Sequence, residues 1–475
     1  MTVPTKKKGA AARFVTTTVE VEGRIETKIV EVPAFEPAPW GEDFNAAIVG
    51  TRAARVDALE KVTGRARYTV DTRRGGMMHA AVLRAPMARG TLVQLDLAPA
   101  LAMPGVRAAL GRNTIPRIKL PGGDLFAPEI RYAGQPVAAL CADAPHLARL
   151  AAERIVTRYE TTPHAVTIED ALAPGAPRVT PRGNLHAPAD IIKRGDAERA
   201  LATADVRIAA EYRTPTALHS ALEPHAAIAE WEGGRLTVWE STQGIFNTRD
   251  DLAAAFELPK THVRVLQDYM GGGFGAKNGA STNAYIAALL SRAAGRPVRC
   301  VNDRAAEQTD AGNRPATIQR VRLGARRDGT LVAITLDAEC GIGAGGWDGG
   351  PARIFQELYA CPNVHTRERF VMSNAGNMAS FRAPGHVEGA FALERAMDEL
   401  ARALGMDPLA LRLKNLSVKN PMNGASYSAK HLAECYRDGA KRFGWAKRVR
   451  IANGRLRRGH GSSEARRRRR DRRGC

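Results

Sequence analysis

A glycine-rich run, Gly271 to Lys277 (GGGFGAK), is the part of this sequence whose residue types could most directly bind a ligand. Glycine reaches positive φ angles, and without a Cβ atom it lets backbone N–H groups approach a bound group closely. Successive N–H groups of this kind bind anions, above all at the start of a helix. The run therefore predicts a binding loop for an anionic ligand, placed between a strand and a helix.

The same run also fits the G-x-G-x-x-A pattern of dinucleotide-binding folds, through Gly271, Gly273 and Ala276. Asp303 then ends the next predicted strand, 27 residues after Ala276. The acidic residue of that pattern usually follows after about 20 residues, and Phe274 is bulky where a small residue is the rule. An NAD-dependent dehydrogenase is thus one alternative function, and a structural turn without a ligand is another.

Side chains that could bind a metal are few. Glu223 and His225 flank Pro224, and His219 lies upstream, but a proline prevents the i, i+4 helical spacing that would bring ligands together. We predict structural hydrogen bonding for these residues and no metal site made by protein side chains. The cysteines are too widely spaced for zinc or iron–sulfur sites and are predicted to be free, buried thiols of a reducing compartment: Cys141, Cys300, Cys340, Cys361, Cys435 and Cys475.

The elements that must position these residues alternate between strands and helices. A continuous apolar run over 137–142 predicts a buried strand, and a helix is expected over 145–156. An alanine-rich helix is predicted over 281–294, ended by Gly295, and a long helix over 388–404. Asp328-Gly329 between two alternating runs indicates a hairpin. These patterns predict an α+β (mixed α/β) fold.

The composition is that of an ordinary globular protein, with 475 residues, 44% hydrophobic and 25% charged. It excludes collagen, a disulfide-stabilised miniprotein and a wholly disordered chain. No apolar run approaches the roughly 18–20 residues that a membrane helix needs. The basic N-terminus is not followed by the apolar region of a secretory signal, so the expected location is cytoplasmic.

Half of the net charge of +21 lies at the C-terminus, where residues 447–475 hold thirteen Lys or Arg and two Asp or Glu. A block of like charges repels itself and is predicted to be disordered. An arginine-rich arm could bind nucleic acid, and a non-enzymatic nucleic-acid binder is the second alternative function. No aromatic residue follows Trp445 to stack on bases, so we do not expect nucleic acid as a partner, and an out-of-frame terminus is the competing interpretation.

Several runs resemble the molybdopterin-binding subunit of the xanthine dehydrogenase/aldehyde oxidase family. They follow the family's order over about residues 50–445, and the APG after Arg382 is most similar to bacterial aldehyde oxidoreductases. The runs are VTGRARYTVD, YAGQPVAALCADAPHLARLAAERI, ALHSALEPHAAIAEW, STQGIFNTR, QDYMGGGFGAK, FRAPGHVEGAFALERAMDELA and MDPLALRLKNL.

The resemblance implies the domain organisation. Residues 1–48 would be an irregular N-terminal extension and 49–165 a hammerhead-like domain. Residues 186–445 would form the first molybdopterin-binding domain, and 446–475 a disordered, arginine-rich tail. The second cofactor domain of the family would be missing, which suggests a truncated or frameshifted member.

The resemblance also implies the site residues and the cofactor, a molybdenum–molybdopterin in mono- or dinucleotide form. Gln243 matches the glutamine that hydrogen-bonds the apical oxo group. Gly271, Gly272, Gly273, Phe274 and Gly275 match the loop that brings backbone N–H groups, including that of Phe274, to the cofactor. Arg382 matches the arginine beside the dithiolene and substrate pocket.

The catalytic residue of the family, a glutamate that acts as general base, is expected in the second cofactor domain. We therefore expect weak cofactor retention and no turnover from this chain alone. The implied reaction hydroxylates aldehydes or N-heterocycles with oxygen from water. The implied partners are separate iron–sulfur and FAD subunits, and export to the periplasm on a partner's signal would be compatible with the sequence.

Overall fold

The computed structural model of the chain describes residues 13–21, 24–32, 46–120, 123–346, 349–427, 429–450 and 456–458. The chain divides into two compact units, Met1–Ala66 and Arg67–Cys475. The first unit contains an antiparallel hairpin of β1 (Arg13–Val21) and β2 (Arg24–Val32) and a short helix, α1 (Ala58–Val62). The extension 1–48, predicted to be irregular, thus includes a hairpin, whose strands are rich in the β-branched residues that favour strands.

The second unit mixes strands and helices along its whole length. Its strands are β3 (Met78–Arg84), β4 (Gly90–Asp96), β5 (Val106–Gly111), β6 (Lys119–Leu120), β7 (Gly123–Asp124), β8 (Glu129–Ile130), β9 (Pro136–Ala142), β10 (Val156–Thr161), β11 (Asp190–Arg194), β12 (Val206–Thr214), β13 (Ala226–Glu232), β14 (Arg235–Glu240), β15 (Val263–Leu266), β16 (Val298–Val301), β17 (Thr317–Ala325), β18 (Leu331–Gly343), β19 (Val364–Met372), β20 (Arg448–Arg450) and β21 (Leu456–Arg458). Its helices are α2 (Ala98–Leu101), α3 (Pro145–Ala152), α4 (Ile168–Leu172), α5 (Ala197–Ala202), α6 (Ile245–Ala255), α7 (Thr282–Ala294), α8 (Arg304–Thr309), α9 (Ala352–Glu357), α10 (His386–Ala403), α11 (Pro408–Lys414) and α12 (Leu432–Phe443).

The two largest sheets organise this unit, which also has a three-stranded sheet in the order β10-β4-β8. One has the strand order β15-β14-β13-β16-β3-β9-β5, and the other has the order β11-β19-β18-β17-β12. The first sheet combines strands from both predicted domains, because β16 pairs in parallel with β3. This arrangement confirms the mixed α/β fold class.

The core of the first sheet is built around α7, whose apolar residues Ile286 and Leu290 are fully buried against it. The helix begins after Ser281, whose hydroxyl accepts a hydrogen bond from the Ala284 N–H, and it ends at Gly295 with φ of 64°. The predicted helix over 281–294 is therefore confirmed. Every residue of β9 is buried, as its continuous apolar run predicts, because packed layers cover both of its faces.

The second sheet packs against α10, which buries Ala392, Ala396 and Leu400 on one face at helical spacing. Strands β17 and β18 pair antiparallel on either side of Asp328-Gly329, which confirms the predicted hairpin. Short helix α11 follows α10, and its first turn is capped by the Asp407 carboxylate.

Most of the arginine-rich tail, 446–475, lies outside the described residues, and its predicted disorder stays a prediction. Within the part that is described, β20 and β21 pair antiparallel, and the Arg448 guanidinium binds the Asp407 carboxylate. None of the described helices combines the length and apolar composition that crossing a membrane requires.

The cysteines follow the prediction with one exception. Cys435 is exposed because α12 buries none of its residues, whereas the prediction placed it in the interior. Cys475 lies outside the described residues. The remaining thiols are free and buried: Cys141, Cys300, Cys340 and Cys361.

Candidate functional site

The glycine bend, Gly271–Gly275, lies in the loop between β15 and α7 and is held at both ends by side chains from other segments. At one end the Gly271 N–H donates to Oε2 of Glu223 at 2.7 Å, and the Glu223 N–H donates to the Gly271 carbonyl at 3.2 Å. At the other end the Gly275 N–H donates to Oε1 of Gln243 at 2.7 Å. The shape of the bend is therefore set by contacts that are distant in sequence.

Between these two ends the backbone offers unused donors. The N–H groups of Gly272, Gly273 and Phe274 have no acceptor within the described part of the chain. Gly273 is buried, and a buried N–H group without an acceptor is rare in native proteins. These three donors form the kind of backbone cluster that binds an anionic or carbonyl-rich group.

Three glycines of the bend lie too close to neighbouring atoms for a Cβ atom. One of them is Gly271, where a Cβ atom would lie 2.4 Å from Cβ of Glu223. A Cβ atom on Gly273 would lie 2.4 Å from Oε1 of Gln243, and one on Gly275 would lie 2.4 Å from the carbonyl oxygen of Ser380. Gly275 also has a φ of 110°, which L-residues rarely adopt. A side chain at Gly275 would thus push the bend away from the Ser380 backbone, whereas at Gly273 the flexible Gln243 side chain could move aside.

Backbone strain is concentrated around the same bend. Of the non-glycine residues with positive φ in the described chain, Ser220, Phe274 and Ala383 belong to segments that contact it. Phe274 is in the bend, its carbonyl accepts a hydrogen bond from the Arg382 N–H at 2.8 Å, and Ala221 lies against Gly272. Strain of this kind persists only where surrounding structure enforces it, and it clusters at functional sites.

Gln243 follows β14 by three residues and reaches the bend with its side chain. Its backbone N–H donates to the Lys277 carbonyl at 2.6 Å, which places the residue beside the loop. Because the Gly275 N–H can only donate, the carboxamide must turn its oxygen toward Gly275. The Nε2 group of this exposed side chain is then available as a donor to a ligand.

Arg382 also lies at the bend, in contact through its backbone N–H with Phe274. Its exposed guanidinium has no hydrogen-bond acceptor among the residues that the structure describes. Arg314 fixes the Arg382 segment, because its guanidinium donates to the carbonyls of Phe381 and Arg382 at 2.6 and 2.7 Å. Arg314 in turn pairs with Oε2 of Glu388 at 2.6 Å, where both side chains are buried. The structure thus brings Gln243 and Arg382 to the same bend.

A buried polar cluster under the bend was not predicted as part of the site. Lys277 donates to the Glu223 carbonyl at 2.8 Å and to the Ser241 hydroxyl at 2.6 Å. Ser241 donates to Oε2 of Glu223 at 2.8 Å, and the Lys277 ammonium lies 3.8 Å from that carboxylate. Burial lowers the pKa of Lys277, while the charges of Glu223 and Glu307 oppose that shift. The sequence analysis predicted structural hydrogen bonding for Glu223, but nothing in the sequence linked it to Lys277 or Ser241.

The histidines beside Glu223 make hydrogen bonds, as predicted. Nδ1 of His225 lies 3.0 Å from Oε1 of Glu307, and its Nε2 lies 3.2 Å from the Ala276 carbonyl. Nε2 of His219 lies 2.7 Å from the Ser380 carbonyl. Burial favours a higher pKa for Glu307, but the hydrogen bond and charge of His225 hold it below its usual value. Across the described ranges, no group of three or more His, Cys, Asp or Glu side chains could hold a metal ion.

A cavity of about 990 Å³ opens beside the bend. The bend and its surroundings contribute Gly275, Lys277, Ser241 and Ser380 to its lining. Gly275 is the residue of the bend that lines this cavity, and the residues with the unused donors are not part of its lining. Its volume lies within the usual range of roughly 300–1,000 Å³ for ligand sites.

The topology differs from a dinucleotide-binding βαβ unit. Helix α7 begins at Thr282, so the glycines are not at its first turn. Strand β15 pairs with β14, whereas β16 pairs with β13 and β3, so the strands flanking α7 are not neighbours. Asp303 caps α8 by accepting a hydrogen bond from the Ala306 N–H. The structure therefore does not support the NAD-dependent alternative.

Glu240 at the end of β14 is fully buried beside the start of α7. Its Oε1 accepts a hydrogen bond from the Ser281 N–H at 2.7 Å, while its Oε2 has no hydrogen-bond partner within the described chain. Burial raises the pKa of Glu240 to about 7, against the opposing effect of the bonds with Ser281.

The burial of Glu240 predicts that the free energy of unfolding declines as the pH rises. The folded chain keeps the Glu240 proton to higher pH than the unfolded chain, so the contribution is full below about pH 4.5 and is lost by about pH 7. Glu240→Gln removes the titrating group, so its effect on the free energy of unfolding should change with pH. That effect should be about 3 kcal/mol more favourable at about pH 8 than at about pH 4. Urea unfolding of both proteins across this range measures the difference.

Glu368 supplies the internal comparison for this prediction. Burial raises the pKa of Glu368 to about 7 as well, so this residue also lowers the free energy of unfolding as the pH rises. Glu240→Gln should therefore flatten the pH profile only in part, and adding Glu368→Gln should flatten it further. An unchanged slope in the single variant would contradict the assignment to Glu240.

Comparisons with known protein families match two ranges of the chain. A family profile described as "Molybdopterin cofactor-binding domain" matches residues 181–416. A second, described as "Aldehyde oxidase and xanthine dehydrogenase, a/b hammerhead domain", matches residues 63–163. The two ranges overlap the two predicted domains, whose bounds stay a prediction.

Individual relatives show the same similarity. The aldehyde oxidoreductase molybdenum-binding subunit PaoC of Escherichia coli is 34% identical over 84% of this chain and 55% of its own length. The nicotinate dehydrogenase large molybdopterin subunit of Eubacterium barkeri is 31% identical over 79% of this chain and 90% of its own length. The crystal structure of quinoline 2-oxidoreductase from Pseudomonas putida has 25% identity and a TM-score of 0.77, over 84% of this chain and 54% of that one. The chain thus spans about half the length of PaoC.

Proposed function

Since the chain belongs to the xanthine dehydrogenase/aldehyde oxidase family of molybdenum hydroxylases, as a molybdopterin-binding subunit, we propose that its glycine bend is the part that holds the cofactor. The observation that carries the proposal is the row of unused N–H groups at Gly272, Gly273 and Phe274, bordered by Gln243 and Arg382. The residues present fit a molybdenum–molybdopterin cofactor, because donors of this kind suit its oxygen and phosphate groups.

Each residue of the site then has a defined task. The free N–H groups of the bend donate to the cofactor, and Nε2 of Gln243 donates to one of its oxygens. Arg382 provides a positive charge at the edge of the site. When bound, the cofactor supplies the redox chemistry, and the chain binds and orients it.

The reaction, substrate and partners of the whole enzyme are part of the proposal. We propose hydroxylation of aldehydes or N-heterocycles with oxygen from water, and electron transfer through iron–sulfur and FAD subunits. None of the binding residues proposed above is a general base, and the resemblance places that glutamate in the second cofactor domain. We therefore expect this stretch of chain by itself to show no turnover.

Gly275→Ala tests whether the bend binds the pterin. Its Cβ atom would meet the Ser380 carbonyl, so the bend must shift and pterin retention should fall at least about tenfold, which corresponds to about 1.4 kcal/mol of binding energy. The measurement is the pterin and molybdenum content of the chain purified from cells that make the cofactor.

Gly405→Ala is the matched control. Gly405 has a φ of 67°, and a Cβ atom there would meet nothing within 4 Å, so this variant also places an L-residue at positive φ, at a cost of about 1–2 kcal/mol, but without a collision. It should retain pterin like the unaltered chain. Equal pterin content in all three proteins would contradict the proposal.

A further inference from the structure

His79 and Arg299 lie side by side on the neighbouring parallel strands β3 and β16, where they are register partners. Met78 and Val298, one residue earlier in each strand, point into the core that surrounds α7. Because side chains alternate along a strand, His79 and Arg299 share the opposite face of the sheet. The fold therefore makes two groups that can both be cationic direct cross-strand neighbours.

Arg299 differs from the arginines around it. Arg74 pairs with Glu230 at 2.9 Å, and Arg296 pairs with Asp143 at 2.9 Å. The guanidinium of Arg299 is partly buried, yet it has no hydrogen-bond or ion-pair acceptor within the described ranges. A guanidinium carries five N–H donors, and leaving them unpaired away from water is costly.

Arg73, which precedes β3, lies close enough for its positive charge to act on both His79 and Arg299. It is exposed and donates to the backbone carbonyls of Val70 and Thr72 at 2.9 and 3.1 Å, so no carboxylate neutralises it there. Burial and the nearby charge of Arg73 lower the pKa of Arg299, while Asp71 opposes that shift. The carboxylate of Asp71 offsets only one of the two guanidinium charges, and a net positive charge remains.

The same positive charges act on the imidazole of His79. Burial lowers its pKa, and the charges of Arg299 and Arg73 lower it further. Like charges directly across a sheet repel each other, so a protonated His79 beside Arg299 is unfavourable unless an anion compensates the charge. A bound dianion would neutralise the remaining charge and let His79 take up a proton.

We propose that the cationic cluster, Arg73, His79 and Arg299, binds an oxyanion of the phosphate type, as inorganic phosphate or as the phosphoryl group of a small molecule. Such a group carries one to two negative charges near neutral pH and offers several acceptor oxygens. It matches both the residual charge of the cluster and the planar donor fork of the unpaired arginine. This oxyanion site does not depend on the proposal that the glycine bend binds molybdopterin.

The test is titration of the full chain with inorganic phosphate, with chloride adjusted to keep the ionic strength constant. Calorimetry should show saturable binding, and the His79 ring signals in NMR spectra should shift with the same midpoint. Arg299→Gln should weaken binding at least about tenfold, which corresponds to about 1.4 kcal/mol. Adenosine monophosphate as a second ligand separates the two sources of the group: tighter binding than phosphate indicates a phosphorylated small molecule, and equal or weaker binding indicates the free ion.

Arg353→Gln is the matched control, since it removes the same charge at an exposed helical position and should leave phosphate binding unchanged. Arg73→Gln is a second variant at an exposed position, where folding is not at risk, and it should weaken binding as well. No saturable binding, or equal affinity in the unaltered chain and in the Arg299 and Arg73 variants, would overturn the proposal.

Discussion

Replacing Lys277 with methionine is expected to lower the free energy of unfolding by about 3–5 kcal/mol, because it leaves a buried carboxylate without its cation. The side chains of Lys277 and Glu223 are only 1% and 4% exposed. The change also removes the donors to the Glu223 carbonyl and to Ser241. Since Glu223 holds the Gly271 N–H, the glycine bend should loosen together with the buried cluster.

Two measurements separate these effects. Urea unfolding gives the loss of global stability, and hydrogen exchange at the Gly271 and Gly275 amides reports the bend itself. Lys414→Met is the matched control, since that lysine pairs with Asp328 at 3.2 Å on the surface and should cost at most about 1 kcal/mol. A cost for Lys277→Met no larger than that of Lys414→Met would contradict the role assigned to the buried pair.

A double-mutant cycle with Glu223→Gln then isolates the interaction. The two variants should be strongly non-additive, because the second change removes a charge that the first has already left unpaired. Additive costs would mean that Lys277 and Glu223 stabilise the chain independently.

The local elements of this fold were predictable because their signals are local. Ser281 and Gly295 mark the two ends of α7, and Asp328-Gly329 marks the β17–β18 turn. Each signal depends on the conformational preference of one or two residues, which acts wherever the chain places them. The buried run of β9 is of the same kind.

The sheet order was not predictable from such signals. Strand β3 pairs with β16 across more than two hundred residues, and nothing in the pattern of either strand specifies its partner. Parallel pairing is decided by how the α7 core closes over both strands, which is a property of the assembled fold. The predicted division into two domains could therefore not show that one sheet joins them.

The site shows the same limit. The glycines indicated an anion-binding loop from their own chemistry, but Gln243 and Arg382 were connected to it only through the family resemblance. The contribution of Lys277 was missed because its partners, Glu223 and Ser241, come from other segments. Long-range pairing of buried polar groups leaves no periodic trace in a sequence.

Arg314→Met is expected to cost a similar 3–5 kcal/mol, because Glu388 would be left as a buried, unpaired charge. The Arg314 and Glu388 side chains are 9% and 2% exposed, and their charged atoms lie 2.6 Å apart. Arg314 also supplies the donors for the carbonyls of Phe381 and Arg382. Its loss should therefore both destabilise the fold and release the Arg382 segment from the glycine bend.

The double variant Arg314→Met with Glu388→Met separates these two consequences. Removing both charges should restore part of the stability, since replacing a buried pair by apolar residues is often neutral or favourable. It cannot restore the donors to Phe381 and Arg382, so hydrogen exchange at the Arg382 amide should stay fast. Arg353→Met, at an arginine that is 71% exposed, should change neither quantity beyond about 1 kcal/mol. If the double variant protected the Arg382 amide as well as the unaltered chain does, Arg314 would act only through its charge and would not position the arginine segment.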